Sequence, residues 1–121
     1  MIRDASKLST YQASGRKCKV LFSEEKTNTK ECSVFLVEFE PGEGTPVHTH
    51  DGIELMFVID GEGVAIENGE QINISKNCAM LAPKGVPHQV VNGTEKSMQI
   101  LCAYVPPLSD SYISKYYKKI D

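Results

Sequence analysis

The sequence lacks nearly every mark of a membrane, a secretory route or a nucleic-acid partner. Its N-terminus, MIRDASKLST, mixes Arg3, Asp4 and Lys7 with small polar residues and holds no apolar signal-peptide core. No apolar run approaches the roughly 18 residues that suggest a membrane span. The four cysteines, Cys18, Cys32, Cys78 and Cys102, form no CxxC pair. That argues against a zinc ribbon or a thioredoxin-type dithiol and fits reduced thiols in a cytoplasmic protein. With 13 basic against 16 acidic residues the formal charge is -3, and no basic stripe exists to track a phosphate backbone. Nucleic acid is not an expected partner.

Helical periodicity is also missing until the very end of the chain. Residues 1–16 are polar and aperiodic and read as an arm. Lys17 to Phe22 alternates, with Cys18, Val20 and Phe22 on one side, the period-2 signature of a strand. Ser23 to Glu31 reads as a loop. Cys32 to Glu40 places Phe35, Val37 and Phe39 on one face. Two prolines and two glycines within residues 41–46 then end the strand. Further short strands are expected over Glu54–Asp60, Gly63–Glu67, Glu70–Ile74, Ala79–Ala82, Pro87–Val91 and Ser97–Val105, set apart by turn residues such as Asp60-Gly61 and Asn68-Gly69. Such a series predicts one all-β domain over 1–121, a sandwich or a barrel, within the usual size of a single core. A short C-terminal helix is expected over 108–120, because Ile113, Tyr116, Tyr117 and Ile120 fall at helical offsets. In Glu54–Asp60 both faces are apolar, so the strand needs two covers. A homodimer partner, a second sheet or the C-terminal helix would each supply the second one.

What the chain does have is a concentration of metal-ligand chemistry. Its three histidines are His48, His50 and His88. Residues i and i+2 of a strand project to one face about 6–7 Å apart, so two imidazoles can converge on one ion. Glu54 shares their parity across the Asp51-Gly52 bend, and His88 follows the rigid turn Pro83-Lys84-Gly85-Val86-Pro87. Imidazole and carboxylate together suit one divalent transition metal, and Mn, Fe, Ni, Co and Zn all accept such a set.

These residues also form two spaced patterns. Gly42, His48, His50, Glu54 and Gly61 make the first, over 42–61; Pro83, Gly85, His88 and Asn92 make the second, over 77–92, where Asn77 stands in place of a glycine. Asparagine is the residue that best tolerates the left-handed backbone glycine would supply there. In both patterns the sequence resembles the cupin superfamily, and in size it resembles a monocupin. The resemblance implies a double-stranded β-helix, a small jelly-roll barrel, with His48, His50, Glu54 and His88 as metal ligands at its mouth. It also implies dioxygenase, decarboxylase or isomerase chemistry on a small carboxylate, hydroxy-carbonyl or sugar. Glu54 argues against the thiol dioxygenase branch, whose members typically lack that carboxylate.

Around the ligands, Asp51 is a candidate general acid/base or a partner orienting His50, or else the residue an Asp-Gly turn requires. Met56 and Lys84 are candidate substrate contacts, against the alternatives of core filler and solvated turn. Two further classes stand beside an enzyme. One is a module that binds or senses a small molecule, and the other is a structural cupin with a vestigial site.

Overall fold

The computed structural model describes residues 1–121. After a single 3-10 turn at Ala5–Lys7 the chain runs β1 (Tyr11–Ala13), β2 (Arg16–Phe22), α1 (Glu24–Thr27), β3 (Ser33–Phe39), β4 (Ile53–Asp60), β5 (Glu62–Glu67) and β6 (Glu70–Ser75). It continues through β7 (Ala79–Ala82), β8 (His88–Val91), β9 (Met98–Val105), α2 (Asp110–Tyr116) and β10 (Lys118–Lys119). Two antiparallel sheets form, a seven-stranded one in the order β10-β1-β2-β3-β9-β4-β7 and a three-stranded one in the order β6-β5-β8. They face each other as an all-β sandwich, the jelly-roll arrangement expected.

Alternation decides which side of each strand is inside. In β3, Phe35, Val37 and Phe39 are buried; in β4, Glu54, Met56 and Val58; in β9, Met98, Ile100, Cys102 and Tyr104. Burying each large apolar side chain of this set contributes about 1.5–3 kcal/mol. Phe35 is the pivot, packed edge-on against Tyr104 at 5.6 Å and Tyr117 at 5.3 Å. Asn92, the last residue of the second pattern, is a buried polar staple. Its amide donates to the carbonyls of Phe39 (3.0 Å) and Lys96 (2.8 Å), and its Oδ1 accepts from the backbone N (3.0 Å) and Oγ1 (2.7 Å) of Thr94. Both ends of the side chain are satisfied, so it ties the end of β3 to the β8–β9 connection at no unpaired cost. Asn77 adopts φ 78°, the left-handed conformation expected of a glycine substitute.

Three local expectations are corrected. The C-terminal helix covers Asp110–Tyr116 rather than 108–120. Tyr117 is already extended, at φ -118° and ψ 118°, because Lys118 and Lys119 pair with Gln12 and Tyr11 on the free edge of β1. The edge's unpaired backbone groups thus compete for the last turn of the helix. Within the expected loop after β2, Ser23 caps the one-turn helix α1 by accepting from the Lys26 N–H at 3.0 Å. The His48-Thr49-His50 stretch is irregular rather than a regular strand, touching the three-stranded sheet through the bridge of His48 to His88. Pro41 and Pro46 deny the ladder two donors just before it.

Candidate metal centre

Backbone bonds set the two histidine-bearing segments against each other. His48 N–H donates to the His88 carbonyl at 3.1 Å and His88 N–H to the His48 carbonyl at 3.0 Å, while Gly85 N–H donates to the His50 carbonyl at 3.0 Å. At Gly52 any side chain would run into the Val105 carbonyl and the Pro106 ring, so the bend after His50 sits directly against the end of β9. The bend brings Glu54 inward at the start of β4, where it is buried.

The side chains then converge. Glu54 Oε1 lies 2.9 Å from His88 Nε2, 3.1 Å from His50 Nε2 and 3.9 Å from His48 Nε2. One ligand atom from each of the four residues falls within 4.8 Å of the others. Two rings are locked from behind, since a carbonyl oxygen can only accept. His48 Nδ1–H must therefore donate to the Pro46 carbonyl (2.7 Å), and His88 Nδ1–H to the Val86 carbonyl (2.9 Å). In the neutral rings, Nε2 is left with its lone pair, aimed at the point Glu54 also faces. A lone pair and a carboxylate oxygen have no attraction for each other unless a cation stands between them, either a proton or a metal. The donor set therefore fits a metal ion, and His48, His50, Glu54 and His88 could hold one.

Electrostatics point the same way. Burial pushes the Glu54 carboxyl up, but His48, His50 and His88 around it more than offset this and hold it well below the usual carboxylate range. Burial lowers His88, yet Glu54 and the Val86 carbonyl raise it above the ordinary histidine value. Cys102 and Tyr104 are pushed well up, chiefly by burial, and so remain protonated at neutral pH.

A cavity of about 20 Å³ adjoins the ligands, walled by His48, Glu54 and His88 with Arg16, Met56, Cys102 and Tyr104 among its other residues. A larger apolar cavity of about 320 Å³ lies between the sheets and shares Met56, His88 and Val90 with it. Met56 thus stands in the wall common to both. Asp51 is exposed and lines a third cavity of about 340 Å³, beside His50 and the Pro106–Ser109 segment. Lys84 is exposed at the tip of its turn and lines none of these three. The sequence reading missed Arg16 and Tyr104. Their signal was parity: Arg16 shares the inward side of Cys18 and Val20, and Tyr104 that of Cys102 and Ile100.

Known proteins resemble the chain in the same region. A family profile described as the cupin domain matches residues 35–104. An auxin-binding protein of Zea mays is 31% identical over 83 residues, covering 60% of this chain and 41% of that one. An oxalate-binding protein of Thermotoga maritima is 24% identical over 86 residues, covering 70% and 71%. The chain spans less than two thirds of the maize protein, as it does of a tobacco auxin-binding protein of which it covers 64%. In three dimensions it superposes on a predicted oxalate decarboxylase of Thermotoga maritima with a TM-score of 0.80 at 20% identity, covering 88% of this chain and 99% of that one. No helix is long and apolar enough to cross a membrane. Both spaced patterns lie inside the matched residues, which make up more than half of the chain, and the chain belongs to the cupin domain family.

Proposed function

We propose that this cupin is a metal-dependent enzyme acting on a small carboxylate or hydroxy-carbonyl compound. The carrying observation is the convergence of three imidazoles and Glu54 on one point, with His48 and His88 locked to present Nε2. A bound divalent ion would supply Lewis-acid polarisation of the substrate oxygens, or a place for dioxygen if it is redox active. The chain's own residues do the rest. The Pro46 and Val86 carbonyls fix the tautomers of His48 and His88, and Tyr104, packed edge-on at 5.0 Å, steadies the His50 ring. Met56 contacts the substrate from the wall between the two cavities, and the larger cavity takes an apolar body where the substrate has one. Asp51 and Lys84 do not line this wall, and the proposed site leaves them out. Auxin and oxalate, named in the relatives, are both carboxylates, which supports the substrate class.

One observation favours a second reading, a non-catalytic binder. Beyond the ligands, the wall of the metal cavity holds no carboxylate, imidazole or lysine to move a proton. The test is a panel of oxalate, aliphatic 2-oxo acids, arylacetic acids and sugars offered to metal-loaded and metal-stripped protein, with and without oxygen. Metal-dependent turnover is the expected result. Stabilisation without turnover would replace the enzyme by the binder, and no effect of any carboxylate would remove both.

We also propose that the chain pairs with a second copy of itself through the outer face of the large sheet. Leu55, Phe57, Leu81 and Val105 stay 40%, 42%, 50% and 40% exposed there, side by side through the pairing of β4 with β7 and β9. The outward positions of these three strands from Leu55 to Ile59, at Ala79 and Leu81, and from Leu101 to Val105 carry no charge. An uncharged apolar face of neighbouring strands is self-complementary across a two-fold axis, and a stable pair needs about 800 Å² from each partner. Light scattering should give twice the chain mass, falling to the single mass in Phe57→Glu. A single mass for the unaltered protein would overturn the proposal.

A further inference from the structure

Three sulfur-bearing residues, Met56, Cys78 and Met80, line the larger cavity between the sheets. Register brings them together. Met56 on β4 stands directly opposite Met80 on β7, a pairing that sets Cβ atoms about 4.5–5.5 Å apart. Cys78, two residues before Met80, shares its parity and so projects to the same face about 6–7 Å away. Three bonds pin Cys78. Its carbonyl accepts from the Val58 N–H at 2.9 Å, its N–H donates to the Ser75 carbonyl at 2.9 Å, and its Sγ accepts from the Ser75 N–H at 3.4 Å. Two flexible thioethers thus stand beside one fixed thiol.

Packing alone does not account for the set. Met98 is the packing methionine of this fold, fully buried with its Sδ 3.1 Å from where a Cβ on Gly63 would stand. Met56 is only 8% exposed, yet it borders an open space of about 320 Å³. Cys102, paired with Met56 on β9, lines the smaller cavity beside Glu54 and not this one. His88 lines it but offers no free lone pair, since Nδ1–H donates to the Val86 carbonyl and Nε2 faces Glu54. The one carboxylate, Glu67, belongs to the opposite sheet, across from His88 in the pairing of β5 with β8.

This donor set names the ion. Thiolate and thioether are soft ligands that select Cu(I), in contrast to the imidazole and carboxylate of the histidine cluster. Charge agrees. On binding, the Cys78 thiol would give its proton to solvent as the Cu–S bond forms, so Cu(I) and thiolate make a neutral unit. A divalent ion would leave a positive charge against a mostly apolar wall. We propose that Met56, Met80 and Cys78 form a second metal site, one for Cu(I), distinct from the histidine cluster and independent of the carboxylate reading.

Anaerobic titration of zinc-loaded protein with Cu(I), in competition with the chelator bathocuproine disulfonate, tests it. Zinc keeps the histidine cluster filled and is measured alongside. One Cu(I) per chain should bind with zinc content unchanged. Cys78→Ser and Met80→Leu should each weaken binding by about 10-fold or more, the scale on which metal sites respond to lost partners, while Met98→Leu should bind as the unaltered protein does. Met80→Leu conserves volume and decides the matter should Cys78→Ser fail to fold. Bound Cu(I) should also shield Cys78 from iodoacetamide and leave Cys32 reactive. No uptake against the chelator, release of one zinc for each Cu(I) taken up, full affinity in Met80→Leu, or shielding of Cys32 in place of Cys78 would each overturn the assignment.

Discussion

His88→Ala is expected to leave a folded barrel that no longer holds one metal per chain. The substitution removes an Nε2 donor that lies 2.9 Å from Glu54 Oε1 and frees the Val86 carbonyl behind it. Loss of even an outer partner of a metal ligand costs about 10- to 100-fold in affinity, so loss of a ligand should cost about 100-fold or more. His48→Ala should do the same from the other segment. Glu54→Gln, which keeps the shape but not the charge, should weaken binding less than either. Elemental analysis after dialysis reads the result, and full metal content in both histidine variants would refute the site. The pH dependence follows in sign. Without metal, His88 is raised, so its contribution to stability is present at low pH and is lost as pH rises through that raised value. Glu54 is depressed, so its contribution is present at neutral pH and is lost as pH falls through the lowered value. Between the two, a proton on the His88 imidazole occupies the place of the metal. Falling pH should therefore weaken the hold on the ion as protons compete for these ligand atoms, and each metal bound near neutral pH should displace protons.

The cluster of four residues that could hold a metal was legible because its signals are local. His48 and His50 are two residues apart, and Glu54 and His88 each follow a bend or turn that the sequence spells out. The inward faces of β3, β4 and β9 were legible for the same reason, as was the left-handed Asn77. What escaped reading depends on distant parts of the chain. Arg16 sits in a polar stretch next to Gly15, and only folding brings Tyr117 to its guanidinium. The helix over 108–120 has the right offsets throughout, yet the edge of β1, about a hundred residues earlier, claims its last turn. Tyr117 is buried either way, so its apolar spacing could not separate helix from strand. The two apolar faces of β4 were visible at once, but no sequence pattern says what covers the outer one.

Phe35→Ala should be the most damaging single change in the core, costing about 3–5 kcal/mol. Its ring is fully buried in the middle of β3, paired across to Val20 and Cys102. Removing it leaves a cavity and breaks two edge-on aromatic contacts, to Tyr104 and Tyr117, each worth about 0.5–1.5 kcal/mol beyond burial. Against a typical total of about 5–15 kcal/mol this is a large fraction, and the melting temperature should fall by roughly 10–20 °C. Phe35→Leu, which refills much of the volume, should cost about 1–2 kcal/mol. Urea titration of both variants gives the comparison, and a cost below about 1 kcal/mol for Phe35→Ala would show that this core does not carry the fold. The two contacts also make Phe35 more than filler. Tyr104 steadies His50, and Tyr117 holds Arg16. The folded fraction of Phe35→Leu should therefore keep its metal yet bind it less tightly, because an aromatic wedge on β3 sets both the His50 imidazole, one of the four clustered ligand groups, and the guanidinium in the wall of the metal cavity.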